Sequence, residues 1–335
     1  MATYWLQLAA CALAIAYAGS SLTRLADAIG EKTGMSGSWV GVLLLAAVTS
    51  LPELATGISA VTIAGAPAIA VGDVLGSTIF NLALLVLLDV LYRPDTIYSR
   101  ASAGHILSAG FGVILLSVVG ASVLLQHAQH LPALGSIGAY TPLLGGLYLL
   151  AMHSVFSYER RQGVDQAPAG ARRHDAITLR AAALRFAFFA GIVTVAGTWL
   201  PFAGARIADE MGWSRTFVGT LLVAGATSLP EVVVTLAALR LRALDMAIGG
   251  LLGSNLFDLL IIAIDDVFYT RGSLLAEVPS VHSVTAFSAV MMSGAVIVGL
   301  VYRPSRRLLR TMSVVGAALL AVYLVKVYVL FVHRE

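Results

Sequence analysis

Two carboxylates stand in matching apolar surroundings. Glu53 closes the run Thr49-Ser50-Leu51-Pro52-Glu53, and Glu231 closes an identical run, Thr227-Ser228-Leu229-Pro230-Glu231. Helical residues three and four apart share a face, so in each run the Thr and Ser hydroxyls align with the carboxylate. Proline has no N–H, so Pro52 leaves the carbonyl of Val48 without its helical partner, and Pro230 does the same to Ala226. At membrane depth a freed carbonyl is tolerated only where it lines a cavity, and there it is a ready cation ligand. Carboxylate, hydroxyl and carbonyl oxygens are hard donors, suited to Na+ and Ca2+ and poor for zinc or copper. A charged side chain at the bilayer centre costs about 2.5–3.5 kcal/mol on insertion scales, so two in matching places argue for a site. The structural alternative has Ser-Pro kinking the helix and Glu pairing with a base. Neither core segment contains a Lys or Arg to be that base.

A second repeated motif supplies the facing wall. Gly76-Ser77-Thr78-Ile79-Phe80-Asn81 answers Gly253-Ser254-Asn255-Leu256-Phe257-Asp258. Ser77 and Asn81 are four apart, as are Ser254 and Asp258, while Gly76 and Gly253 permit close helix approach. One Gly-Ser pair is usually a packing motif; recurrence at matched distance from the glutamate reverses that reading. Glu53, Glu231 and Asp258 then bring up to three negative charges together, with Asn81 the neutral counterpart of Asp258. Such a group needs cations, or protons, in a low dielectric.

The elements that position these residues follow from composition. The chain has 335 residues, 59% of them hydrophobic, with mean hydropathy +0.89, which describes a polytopic all-α membrane protein. Apolar runs predict ten transmembrane helices, near 4–22, 38–63, 68–91, 104–125, 139–157, 183–203, 217–239, 244–268, 283–302 and 309–332. The polar stretch 158–182 divides them into a first five-helix repeat, 1–157 with its motif at 41–91, and a second, 183–335 with its motif at 219–268. Five is odd, so the second repeat must enter the membrane from the opposite side, giving two inverted repeats. Charge tests this order independently. Sixteen Lys and Arg lie in the loops after the odd-numbered helices, against four in the other loops and the C-terminal tail, with Lys326 inside the last helix. The positive-inside rule places the linker in the cytoplasm and both termini outside. That bias accounts for the basic pI without a nucleic-acid partner. Residues 1–10 contain no Lys or Arg, so the N-terminus reads as a first membrane helix rather than a signal peptide. The single cysteine, Cys11, excludes an intramolecular disulfide.

The paired Thr-Ser-Leu-Pro-Glu and Gly-Ser-x-x-Phe-Asn/Asp segments resemble the two alpha-repeats of the cation/Ca2+ exchanger superfamily, specifically the prokaryotic sodium/calcium exchangers. The resemblance implies that helices two, three, seven and eight surround a central group of cation sites. It implies that Glu53 and Glu231 are shared central ligands. Thr49, Ser50 and Ser77 with the carbonyl of Ala46 would form one Na+ site, and Thr227, Ser228 and Ser254 with the carbonyl of Ala224 the other. Asn81 and Asp258 would face the middle, and helices one and six would slide across this core. It further implies a transporter rather than an enzyme, with no cofactor, exchanging three Na+ for one Ca2+. Its setting would be the lipid bilayer of the cell's inner (plasma) membrane, and its functional unit a monomer. Some positions depart from the pattern. Val48 and Ala226 stand where relatives often carry glycine, and Gly72-Asp73 and Gly249-Gly250 replace Gly-Asn. Asp73 is either a fourth acid on an access path or a solvated helix start, the latter favoured. Asp89 and Asp266, matched between repeats, read as interfacial anchors. Three other readings stay open: an intramembrane hydrolase, which lacks a core base near Ser50 or Ser228; a passive cation channel; and an H+- or K+-coupled exchanger.

Overall fold

The structure, a computed structural model, describes residues 2–33, 46–129, 133–161, 177–308 and 311–332. Most of the linker and positions 41–45 of the first motif lie outside the described residues. Long helices dominate: α1 (Ala2–Thr33), α2 (Leu51–Thr62, preceded by a helical turn at 46–49), α3 (Pro67–Leu91), α4 (Gly104–Gln129) and α5 (Tyr140–Arg161). They are followed by α6 (Leu179–Met211), α7 (the bent pair Arg215–Thr227 and Leu229–Arg240), α8 (Leu244–Phe268), α9 (Val281–Tyr302) and α10 (Val314–Val332). Among the described residues, seven helices are long and apolar enough to cross a membrane, eight if the bent pair is one span. The chain is therefore a multi-pass membrane protein. Of the expected spans, α2 is described over only its C-terminal part, and α5 is diluted by Tyr, Gly, His and Ser residues.

Three boundaries differ from the expected ones by more than four residues; α10 opens at Val314 rather than 309, behind the hairpin that ends at Met312–Ser313. Helix α1 runs on to Thr33 and α6 to Met211, because no proline or αL glycine stops either helix where the bilayer does. The extension of α1 stays amphipathic, with Ala26 and Ala28 buried behind exposed Arg24. Bilayer thickness sets how much of a helix must be apolar, not how long it is. In α6, Pro201 lies within the helix and Gly212 ends it in the left-handed conformation.

Helices α3 and α8 form the buried centre, flanked by α2 and α7, with α4, α5, α9 and α10 packed outside them. On the other side α1 and α6 lie against each other along most of their length. Each also rides over a broken helix. A Cβ on Gly19 of α1 would collide with the ring of Pro230, and one on Gly197 of α6 would meet the Pro52 carbonyl at 3.0 Å. These glycines permit a close crossing, and Thr56 and Ser59 of α2 secure it by donating to the carbonyls of Gly197 (3.2 Å) and Thr198 (2.7 Å). Gly76 of α3 faces the backbone of Thr220, where again no side chain fits.

Asp89 and Asp266 are anchors, but not at a water interface: both are fully buried. Each closes the loop after its own helix and a distant hairpin. Asp89 accepts from the amides of Ile97 (3.1 Å) and Ser313 (2.5 Å). Asp266 accepts from the amides of Leu274 (2.7 Å) and Gly138 (2.8 Å), from the Tyr140 hydroxyl (2.6 Å) and from Thr141. The two hairpins, Ala133–Leu134 with Ile137–Gly138 and Arg307–Leu308 with Met312–Ser313, occupy matching places before α5 and α10. Carboxylates with two or more backbone N–H partners satisfy donors that lipid cannot.

Candidate functional site

The repeated run breaks its helix at the same residue in both halves. Ser50 has φ −86° and ψ 13°, Ser228 φ −80° and ψ 6°, and each is followed by a helix opening on Leu-Pro. The Ser50 amide still reaches the Ala46 carbonyl (3.1 Å) and the Ser228 amide that of Ala224 (3.0 Å). Two residues on, Pro52 and Pro230 have no N–H to donate, and around Ser228 the helix bends by 46°. Ahead of this break, Gly219–Val223 form a π turn, an irregularity that occurs often at functional sites.

The twelve candidate residues from sequence are all buried, none more than 8% exposed, and most of them meet. Their contacts cross between halves. Thr49 Oγ1 lies 3.0 Å from Ser254 Oγ, and Ser77 Oγ lies 3.4 Å from Thr227 Oγ1. Ser228 Oγ donates to Ser77 Oγ (2.9 Å) and approaches Glu53 Oε1 at 3.4 Å, while Ser77 reaches the same carboxylate oxygen at 3.3 Å. Thr49 and Thr227 also donate to the carbonyls of Ala46 (3.1 Å) and Ala224 (3.2 Å), so these two carbonyls face the hydroxyl clusters. Glu53 and Asp258 lie near Glu231, and Thr49 lies beside it.

Several of these oxygens have nothing to bond. Among the described residues, Ser50 Oγ, Glu53 Oε2, Glu231 Oε2, Asn81 Oδ1 and both carboxylate oxygens of Asp258 are buried and make no hydrogen bond, although Ser50 lies beside Asp258. Native interiors rarely leave such groups orphaned, least of all charged ones. No three His, Cys, Asp or Glu side chains among the described residues converge as a metal cage. An ion here would be held by mixed oxygens, with carboxylates spread among hydroxyls and carbonyls. That arrangement suits hard cations that must also leave.

Three features were missed or misread in the sequence. Asp73 is not a solvated helix start. The helix begins at Pro67, so residue 73 lies nearly two turns in, where the Gly72–Gly76 face is covered by the π turn. It is fully buried and accepts from Thr227 Oγ1 at 2.9 Å. Asn255 takes the place expected of Asp258 opposite Asn81: Asn81 Nδ2 donates to Asn255 Oδ1 (3.0 Å), and Asn255 Nδ2 to the Thr78 carbonyl (3.2 Å). Its position between Ser254 and Asp258 was the available signal. Asp265 is buried against Gly57, where any Cβ would strike its carboxylate.

Comparison with known proteins follows this geometry. A family model described as sodium/calcium exchanger protein matches residues 3–152 and 181–332. The inner membrane protein YrbG of Escherichia coli (strain K12) is 28% identical over 255 residues, 75% of each chain. The sodium/calcium exchanger MaX1 of Methanosarcina acetivorans is 28% identical over 281 residues, 73% of this chain and 77% of that one. Among solved structures, the H+/Ca2+ exchanger CAX superposes with a TM-score of 0.65 at 13% identity, covering 98% of this chain and 88% of the other. The sodium-calcium exchanger NCX_Mj gives 0.58 at 21% identity, covering 98% and 97%. At these identities the structural likeness concerns the fold.

Proposed function

Because the chain belongs to the sodium/calcium exchanger protein family, we propose that it is an antiporter that moves Ca2+ in exchange for Na+ by alternating access. Membership makes it a membrane transporter of the Ca2+/cation exchanger type; the coupling ion, direction and site are the proposal. Glu53 and Glu231 act as shared ligands at the two helix breaks. Thr49, Ser50, Ser77 and the Ala46 carbonyl serve one Na+, and Thr227, Ser228, Ser254 and the Ala224 carbonyl the other. Asn81 and Asp258 line the centre. The observation that carries this reading is the pair of identical breaks at Ser50 and Ser228, whose hydroxyls and carboxylates meet across the halves with oxygens left unpartnered. Hydroxyl-rich mixed-oxygen seats favour Na+ over a bare proton, which needs only one carboxylate.

The matched staples of Asp89 and Asp266, and the reciprocal crossings Gly19–Pro230 and Gly197–Pro52, support ten helices in two inverted repeats. The positive-inside bias supports a cytoplasmic linker with both termini outside. All ligands come from one chain, in keeping with a functional monomer in the cell's inner membrane.

The test is Ca2+ flux in vesicles reconstituted with purified protein. Outward Na+ gradients should drive Ca2+ uptake, and gradients of H+ or K+ alone should not. Uptake driven by a proton gradient without Na+ would transfer the coupling to H+. Uptake without any opposing gradient would make the protein a channel.

A further inference from the structure

The two halves are not equivalent at one position. Four residues before the motif serine, the first half carries Asp73 and the second Gly250. Asp73 is fully buried, and no salt bridge among the described residues includes it. Three further acids, Glu53, Asp258 and Asp265, lie near it. One oxygen, Oδ1, accepts from Thr227 Oγ1 at 2.9 Å; the other, Oδ2, is buried with no hydrogen-bond partner among the described residues. Thr227 in turn touches the Ala224 carbonyl (3.2 Å) and Ser77 Oγ (3.4 Å), so Asp73 is joined directly to the hydroxyl cluster. The π turn that covers this face of α3 holds another orphan, the buried Thr220 hydroxyl.

We propose that Asp73 is a further cation ligand, which together with Thr227 extends the site towards the π turn and holds a monovalent cation there. A carboxylate in a dry interior needs a cation or a proton beside it, and among the described residues no basic side chain pairs with Asp73. The donors at this end, one carboxylate with hydroxyls and a carbonyl, are too few for Ca2+, which takes six to eight oxygens. Na+ accepts the smaller set. The second half has only Gly250 in this place, so the extension exists at one end and makes the two Na+ seats unequal.

This inference rests on the Na+/Ca2+ reading and fails separately from it. Equilibrium binding of radioactive Ca2+ to purified protein, displaced by added NaCl at constant ionic strength, reads both. In wild-type protein Na+ should displace Ca2+. In Asp73→Asn the Na+ concentration needed should rise roughly tenfold, about the worth of one charged ligand bond, with Ca2+ affinity in Na+-free buffer within about threefold. Asp73→Glu, which keeps the carboxylate, should stay near wild type, and Asp73→Ser should follow Asp73→Asn if that variant cannot be purified folded. Displacement by Na+ that is unchanged in Asp73→Asn or Asp73→Ser overturns the assignment and leaves the exchanger reading standing. Absence of Na+ displacement in wild type overturns both.

Discussion

Glu53 and Glu231 occupy the same position after the same break, yet their surroundings differ. Two hydroxyls, of Ser77 and Ser228, approach one oxygen of Glu53, and each glutamate keeps one oxygen unbonded in the interior. Replacing either with Gln removes the charge while keeping the shape, so Ca2+ flux should fall by roughly a hundredfold or more, as for loss of a directly coordinating carboxylate, while the protein still inserts and purifies. Asp258→Asn should behave differently. Asp258 lines the centre and belongs to neither Na+ seat, so Na+ binding should weaken by under about threefold and Ca2+ binding by over about tenfold, because ligand charge tunes divalent affinity most. Binding isotherms for the two ions separate these outcomes; equal loss of both would show that the charge serves Na+ as much as Ca2+. Gly57 provides a test unconnected with ions. Gly57→Ala pushes a methyl into the Asp265 carboxylate and should lower thermal stability by about 1–3 kcal/mol, the usual cost of overpacking. An unchanged melting temperature would mean that α2 and α8 can part freely there.

At the scale of elements, the two buried aspartates at the ends of α3 and α8 hold loops and hairpins by their backbone. Asp266 takes four hydrogen bonds and Asp89 two. Asp266→Ala should therefore destabilise more than Asp89→Ala, with about 1–3 kcal/mol for each buried donor left unpaired, and ion affinity should change little. Melting temperatures in detergent decide the order. The reverse ranking would mean that the Asp89 loop carries more of the stability than its bonds suggest. This scale also divides what the sequence revealed from what it hid. Thr49, Ser50 and Glu53 were readable because their spacing on a single helix is local, and so was the proline break. Gly19 and Gly197 were not, since each matters only through a proline about 145 to 211 residues away in the chain. Asp73 was misread for the same reason: its burial is created by a π turn in the other half. The overlong α1 and α6 were hidden differently, because hydropathy marks the lipid thickness and not the place where a helix stops.

At the scale of the whole molecule, the expected exchange of three Na+ for one Ca2+ carries one net charge per cycle. A tenfold Na+ gradient supplies roughly 1.4 kcal/mol per ion, about 4 for three, and 100 mV adds about 2.3 for the net charge. Together these would sustain a steep outward Ca2+ gradient, so extrusion is the expected direction in a cell. Ca2+ uptake into Na+-loaded vesicles should accelerate when the interior is made positive by an ionophore-set potential. A rate indifferent to voltage would mean electroneutral exchange and sink the three-to-one ratio.

The crossing of contacts between halves bears on how the chain is assembled. Thr49 meets Ser254, Ser77 meets Thr227, and each proline break is roofed by a glycine helix of the other half. Several polar groups of each half find partners only in the other, so each serves as the template on which the other completes itself. The covalent link between them then matters less than their company. Two separate polypeptides, divided within 162–176 and produced together, should find each other in the bilayer and recover ion binding, whereas either one produced alone should be cleared by membrane proteases. Accumulation of a stable single half would show that the interior of one repeat can close upon itself.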